Sequence, residues 1–444
     1  MRKHLICGSL FDGLGETAKT DQTIVVDDDR IAYAGPSAQA PDQRPGEAVI
    51  DHSGAFVMPG LIDIHVHLSY GDAQANEDID IYSPPEYRAL RALRAAQTVM
   101  KAGYTSIADP ASTGRTTVGV RDAINAGMFD GPRITTSGRQ ITARQGLADW
   151  YPTWVGVPES SVGVLVRNTD EAIEEIRMQV KDRVDFVKIA LDGLHRKDSD
   201  GELMACFNQR EMDAMVEESH RLGRKVITHA RGREAVLTSA RAGVDVIFHA
   251  FEMDEEGLDA VLENGSILSP ALTFVANTVE FTRPSDPCFK WRPTQNRRVI
   301  DDACEMLIKA RERGVPFMVG TDSGFAITPY GEWHAKELEL MVDDLGFTPG
   351  EALKATTSGN SALLRERDGV GRLAEGAYAD ITVIAGDPLD DIAILQDRDA
   401  IAAVYRGGEP VDLSPEPRAA GYQWEYSYRQ WNDIYTRERV AELN

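Results

Sequence analysis

Phe56-Val57-Met58-Pro59-Gly60-Leu61-Ile62-Asp63-Ile64-His65-Val66-His67-Leu68 is the stretch whose reading decides the fold. From Leu61 to Leu68 it is apolar and β-branched except for Asp63 and the two histidines, which suits a strand buried on both faces. Side chains two apart on a strand project to the same side, so His65 and His67 stand together, roughly 6–7 Å apart at about 3.3 Å per residue. Two imidazoles at that spacing can grip one metal ion, although a lone His-x-His serves equally well as a pair of hydrogen-bonded core residues. Elsewhere in the chain three more short apolar segments end in His or Asp, and a fourth carries a lysine among apolar neighbours.

Outward from this stretch the chain alternates strands and amphipathic helices. The patterning predicts strands over Leu61 to His67, Thr105 to Asp109, Arg133 to Ser137, Phe186 to Ala190, Lys225 to His229, Val244 to His249, Ser266 to Pro270 and Val315 to Asp322. Helices are expected over Ser83 to Ala102, Asp170 to Val180, Gln209 to Leu222, Arg231 to Ala242, Thr294 to Arg313 and Gly331 to Asp344. Eight strands alternating with helices point to an α/β fold, a (β/α)₈ TIM barrel over residues 57–364, with a doubly wound sheet as the alternative.

Residues 1–56 read instead as short strands broken by turns, and the same texture returns in 365–420, so the two ends are expected to build one small composite β-sandwich. The tail, 421–444, is dense in aromatics: Tyr422, Trp424, Tyr426, Tyr428, Trp431 and Tyr435. Such rings are expected to dock on the barrel or on a second copy, which makes a homo-oligomer a natural expectation, with a role as a substrate lid as the alternative.

The formal net charge of −24 argues against nucleic acid or an anionic membrane as partner. No apolar run approaches the ~18 residues of a membrane span, and Met1-Arg2-Lys3-His4 leads directly into a strand-like segment, so a soluble, cytoplasmic protein is expected. Cys7, Cys206, Cys288 and Cys304 are scattered without metal-knuckle spacing and read as reduced thiols.

In a (β/α)₈ barrel the reactive groups come from the C-terminal ends of the strands, which open onto one face. His65 and His67 end the first strand, Lys188 lies in Phe186-Val187-Lys188-Ile189-Ala190, His229 and His249 end their strands, and Asp322 sits in Gly320-Thr321-Asp322-Ser323-Gly324. Each alone has a plainer role: a snorkelling lysine, a satisfied core histidine, a turn-capping aspartate. Together they make a metal-ligand set.

These residues, with Val57-Met58-Pro59-Gly60, Gly103-Tyr104-Thr105-Ser106, Gly131-Pro132-Arg133 and Gly376-Ala377-Tyr378-Ala379-Asp380, resemble the amidohydrolase superfamily of metal-dependent hydrolases. The similar branch includes imidazolonepropionase-like proteins, prolidases and arginine carboxypeptidases of that fold, and ochratoxin-type amidases. The resemblance implies that His65 and His67 bind the more buried of two divalent ions and His229 and His249 the more exposed one. It further implies that Lys188, carboxylated on its amine, bridges both, and that Asp322 completes the site beside a bridging hydroxide. A carbamate turns a repelled ammonium into an anionic ligand. Asp322 is then the general base that passes a proton to the departing nitrogen. Zinc suits the ligands, and cobalt or manganese can substitute.

In peptidase members of this branch, a His after the third strand and a Tyr two residues beyond the fifth-strand His hold the substrate's carboxylate. Leu147 and Arg231 stand at those places here, which weakens the dipeptidase reading, although Arg139, Arg144 or Arg231 can still clamp a carboxylate. Trp150, Tyr151 and Trp154 offer aromatic walls for an apolar or aryl ligand, and His334 is read as approaching the pocket beyond Asp322, with loop packing and a surface helix position as their respective alternatives. The favoured expectation is hydrolysis of a carbon–nitrogen bond in a small amide, carbamate or urea. A metallo-dipeptidase of the same family is the alternative enzyme, and a ligand-binding barrel the alternative outside catalysis.

Overall fold

The computed structural model describes residues 2–197, 199, 201–290, 297–415 and 430–443. The two chain ends meet in one seven-stranded sheet. Its order is Glu409–Pro410, Ile401–Arg406, Ile381–Ile384, Ala48–Pro59, Lys3–Phe11, Ala18–Asp27 and Arg30–Pro36. The joint is the antiparallel pairing of Ile381 with Pro59 through to Ile384 with Phe56. Alternating apolar residues give this sheet its own small core, including Leu5, Ile24, Val26, Val57, Ile381 and Val383. The expected sandwich is thus seen as a single hydrogen-bonded sheet to which both ends contribute.

That sheet is anchored to the middle of the chain by the buried Arg133, whose Nε and Nη2 donate to Asp380 at 2.7 and 3.1 Å. Two guanidinium groups, of Arg30 and Arg133, each lie 3.4 Å from the Tyr378 ring centroid.

The middle of the chain holds parallel strands. One group of three runs Leu61–Asp63, Tyr104–Asp109, Arg133–Thr136; a group of six runs Ile267–Ser269, Val246–His249, Lys225–Ala230, Phe186–Ala190, Gln140–Thr142, Gly163–Leu165. Their side chains are buried on both faces, which explains the near-continuous apolar runs. Residues 316–323 stitch the groups together: Met318 N–H donates to Leu268 O at 2.9 Å and Ile64 N–H to Val319 O at 3.1 Å. On the other side Asp185 N–H donates to Thr136 O at 2.8 Å.

Three expectations need correction. The segment Val315 to Asp322 makes isolated bridges, Leu268 with Phe317 and Val66 with Ser323, and no ladder, because the chain turns at Asp322 and Gly324, where φ is +58° and +130°. The predicted helix Gly331 to Asp344 is helical only over Lys336–Asp343; Gly331, at φ +74°, opens a tight turn before it. Gln140–Thr142, which none of the predicted strands covers, is a sheet strand.

The helices otherwise begin where capping chemistry stops the strand pattern. Asn168 caps Thr169–Lys181, and Asn208 with Glu211 forms a capping box on Gln209–Arg221. Of the aromatic tail, Tyr422, Trp424, Tyr426 and Tyr428 lie outside the described residues, whereas Trp431 and Tyr435 are buried on the body. Trp333 Nε1 donates to Tyr435 O at 2.8 Å, and Tyr435 Oη to Asp286 at 2.5 Å. No helix among the described residues is long and apolar enough to cross a membrane, and no disulfide joins the four cysteines.

Candidate active site

Just beyond the Leu61–Asp63 ladder the extended backbone presents His65 and His67, their ring centroids 5.0 Å apart. Asp322 reaches both: its Oδ1 lies 3.0 Å from His67 Nε2 and 3.4 Å from His65 Nε2. His249 lies 5.5 Å from His65 and 4.5 Å from His229, centroid to centroid. The nearest ligand atoms of His65, His249 and Asp322 all fall within 4.8 Å of one another. Lys188, from the Phe186–Ala190 strand, places Nζ 4.0 Å from the Phe248 ring centroid. The six residues therefore cluster as one buried wall, in which all but His249, packed against His65 and His229, line the adjoining cavity.

The backbone is bent to achieve this. His249 and Asp322 are non-glycine residues at φ +78° and +58°, a conformation that costs about 1–3 kcal/mol each. Local bonds hold them there: Ala250 N–H donates to Ala230 O, and Thr328 Oγ1 to Asp322 O, both at 2.9 Å.

The donor chemistry fits a metal centre. Buried polar atoms normally find partners, yet Lys188 Nζ, both ring nitrogens of His249, His65 Nδ1 and His67 Nδ1 have none among the described residues. Burial holds His65, His249 and His229 below the usual imidazole range, and so neutral, with a lone pair to offer. Burial also pushes Lys188 down to about 7, against the pull of Asp322. At Asp322 burial pushes upward, but His65, His67 and His249 outweigh it and keep the carboxyl well below the ordinary range.

A further layer fixes the ligands. Asp63 accepts from His65 N–H at 2.9 Å and from Thr321 Oγ1 at 2.6 Å. Asp192 Oδ1 lies 3.2 Å from His229 Nε2, while its Oδ2 accepts from the backbone N–H of Arg231 and of Gly232. Phe248 stacks on His65 at 4.0 Å and Tyr70 on His67 at 4.3 Å. None of these four was singled out from sequence; Asp63 stood inside the quoted stretch, while Tyr70, Asp192 and Phe248 carried no spacing signal.

In front of the wall lies a cavity of about 440 Å³, lined on its apolar side by Tyr70, Trp150, Phe274, Phe325 and Trp431. Trp150 is turned inward by its indole N–H, which donates to Asp80 at 2.7 Å. Arg231 also lines the cavity, 8% exposed, and its guanidinium has no hydrogen-bond or ion-pair partner among the described residues.

Other expected contacts lie elsewhere. Arg139 spends its guanidinium on backbone carbonyls, those of Ser161 at 3.0 Å and of Gly163. His334 is buried behind the first strand, with Nδ1 2.7 Å from Asp63 Oδ2 and Nε2 accepting from Gly331 N–H. Trp154 is 86% exposed, and Tyr151 falls outside the lining. Leu147, standing where the peptidase branch keeps a His, does line the cavity.

A parallel-strand scaffold with a buried His, Lys and Asp cluster facing a cavity is the arrangement a metal-dependent hydrolase would use. A family model described as "Amidohydrolase family" matches residues 56–411, and the chain belongs to that family. It is accordingly a hydrolase of carbon–nitrogen bonds. Among curated relatives, ochratoxinase from Aspergillus niger is 26% identical over 421 residues, covering 91% of this chain and 85% of that protein. Imidazolonepropionase from Caldanaerobacter subterraneus subsp. tengcongensis is 23% identical, covering 87% and 88%. Among solved structures, a Xaa-Pro dipeptidase with methionine bound in its active site is similar at a TM-score of 0.80 and 28% identity, over 92% of this chain and 99% of that one.

Proposed function

We propose that the chain is a binuclear metal-dependent amidohydrolase acting on a small amide, carbamate or urea with an apolar or aryl portion. The observation that carries this is the convergence of His65, His67, Lys188, His229, His249 and Asp322 on one wall, with several buried donor atoms that no protein group satisfies. The reading includes a closed (β/α)₈ barrel over 57–364 and a composite β domain from 1–56 with 365–420.

The four imidazoles, the Asp322 carboxylate and Lys188, carboxylated on Nζ by carbon dioxide with loss of a proton, would hold the pair of ions. When bound, two divalent ions supply a Lewis acid for the scissile carbonyl and an acidified water, with zinc the best match to His and carboxylate. Asp322 is anionic at neutral pH and anchored to His67, so it can take a proton and return it to the departing nitrogen. Without that return the amine would leave as a poor anion. Trp150, Phe274 and Trp431 desolvate the substrate and set its orientation.

Arg231 favours a second reading in which the amide also bears a carboxylate, as in a dipeptide or an N-acyl amino acid. A buried guanidinium that meets the Phe251 ring at 5.3 Å but makes no hydrogen bond or ion pair among the described residues is costly unless an anion meets it, and its planar fork matches a carboxylate. Metal analysis and a substrate panel test both. About two ions per chain, lost together with turnover in Lys188→Ala, supports the binuclear hydrolase, whereas a metal-free protein without turnover overturns it. Faster turnover of N-aryl or N,N-dialkyl carbamates and ureas supports the first substrate class, and faster turnover of Xaa-Pro or Xaa-Arg dipeptides supports the second.

A further inference from the structure

At the opposite pole from this wall, where the strands Phe186–Ala190 and Lys225–Ala230 begin, the fold leaves a second cleft of about 630 Å³. His229, near the far end of its strand, is about 13 Å from Lys225 at roughly 3.3 Å per residue, so the two sites are separate. The chain carries a formal charge of −24, yet this cleft is lined by Arg121, Arg183, Arg224, Lys225, Arg365 and Arg367 against two acids, Asp185 and Asp368.

The cations are not equivalent. Arg121 is tied to Asp185 at 2.7 Å and to Asp122 at 3.0 Å, Arg183 pairs with Asp122, and Arg367 lies 3.7 Å from Asp368. Arg224, Lys225 and Arg365 have no carboxylate within 4.0 Å among the described residues. Arg224 Nε is buried without a partner. Lys225 gives a single bond, to Ala362 O at 2.7 Å, and keeps two donors. Val184, Leu363 and Leu364 close the floor with buried apolar side chains. The cleft thus concentrates three cations with no carboxylate in contact around a mainly polar space large enough for an organic molecule.

We propose that this cleft binds a small phosphate monoester with a hydroxylated body, such as a sugar phosphate. Three converging cations match the dianionic phosphoryl group, guanidinium forks suit its oxygens, and the polar walls suit a hydroxylated body better than an aryl one. Glucose 6-phosphate, titrated calorimetrically into the metal-loaded enzyme at fixed ionic strength, is expected to bind saturably, and glucose is not. The double variant Arg224→Gln/Arg365→Gln is expected to bind at least about tenfold more weakly while its turnover is unchanged. Should that variant not fold, the exposed single variant Arg365→Gln is expected to weaken binding about three- to tenfold. No saturable binding, equal binding of glucose, or binding that survives in the folded variant and so belongs to the metal centre would each overturn the proposal.

Discussion

Lys188→Met in metal-free enzyme is expected to stabilise the fold that it disables. Lys188 is buried with Nζ against the Phe248 ring, and burial lowers it from 10.5 to about 7. At about 1.36 kcal/mol for each pH unit between those values, the buried ammonium opposes folding by up to about 5 kcal/mol. At pH 7, where half of the folded population is already neutral, the burden is about 4 kcal/mol. The unfolded chain binds the proton more tightly than the folded one, so the burden is complete below pH 7 and fades as pH rises toward 10.5. Methionine has a similar length and no charge to desolvate. Chelator-treated wild type and variant, unfolded by urea at a series of pH values, should therefore differ most at or below pH 7, with the variant the more stable, and converge toward pH 10.5. Added divalent metal should reverse the order, because only the wild type keeps the complete ligand set. A variant equal to or weaker than wild type at pH 6.5 without metal, or an advantage that grows with pH, would refute the reasoning.

Other consequences can be measured separately. His249→Asn is expected to lower the metal content per chain and cut turnover by at least about a hundredfold, as read by elemental analysis and initial rates. Arg231→Met is expected to reduce kcat/KM roughly 10–100-fold for carboxylate-bearing amides and to leave neutral carbamates nearly unchanged; equal losses on both would remove the carboxylate role. Asp380→Asn breaks the bidentate Arg133 pair between the end sheet and the middle of the chain and should destabilise by about 3–5 kcal/mol in urea titration. Trp431→Ala is expected to raise KM for aryl substrates more than kcat changes, since the indole lines the cavity edge-on to Phe274, at 6.4 Å between ring centroids.

The metal-ligand candidates were legible in sequence because the four histidines and Asp322 close short apolar runs and Lys188 lies inside one, and strand geometry aims such ends at one face. Both ends of the chain also announced their shared sheet, through alternating residues bounded by turns. Less legible was anything decided by long-range packing. Arg139 looked like a clamp but faces carbonyls of the Gly163–Leu165 edge, a pairing that no local pattern reveals. His334 looked like a pocket residue because it follows Asp322 by a short span of chain, whereas the turn opened by Gly331 points it back at Asp63. The inward Trp150 has its indole N–H held by Asp80, 70 positions earlier in the chain, whereas Trp154 is exposed, a distinction that no local pattern carries.

The placement of Trp431 has an evolutionary corollary. The candidate ligands are spread along the parallel strands and could not be exchanged without rebuilding the scaffold, but part of the cavity wall, Gln430 and Trp431, comes from a segment that follows the last sheet strand. Substitutions at Gln430 and Trp431 can therefore reshape the cavity while the His, Lys and Asp cluster is inherited intact.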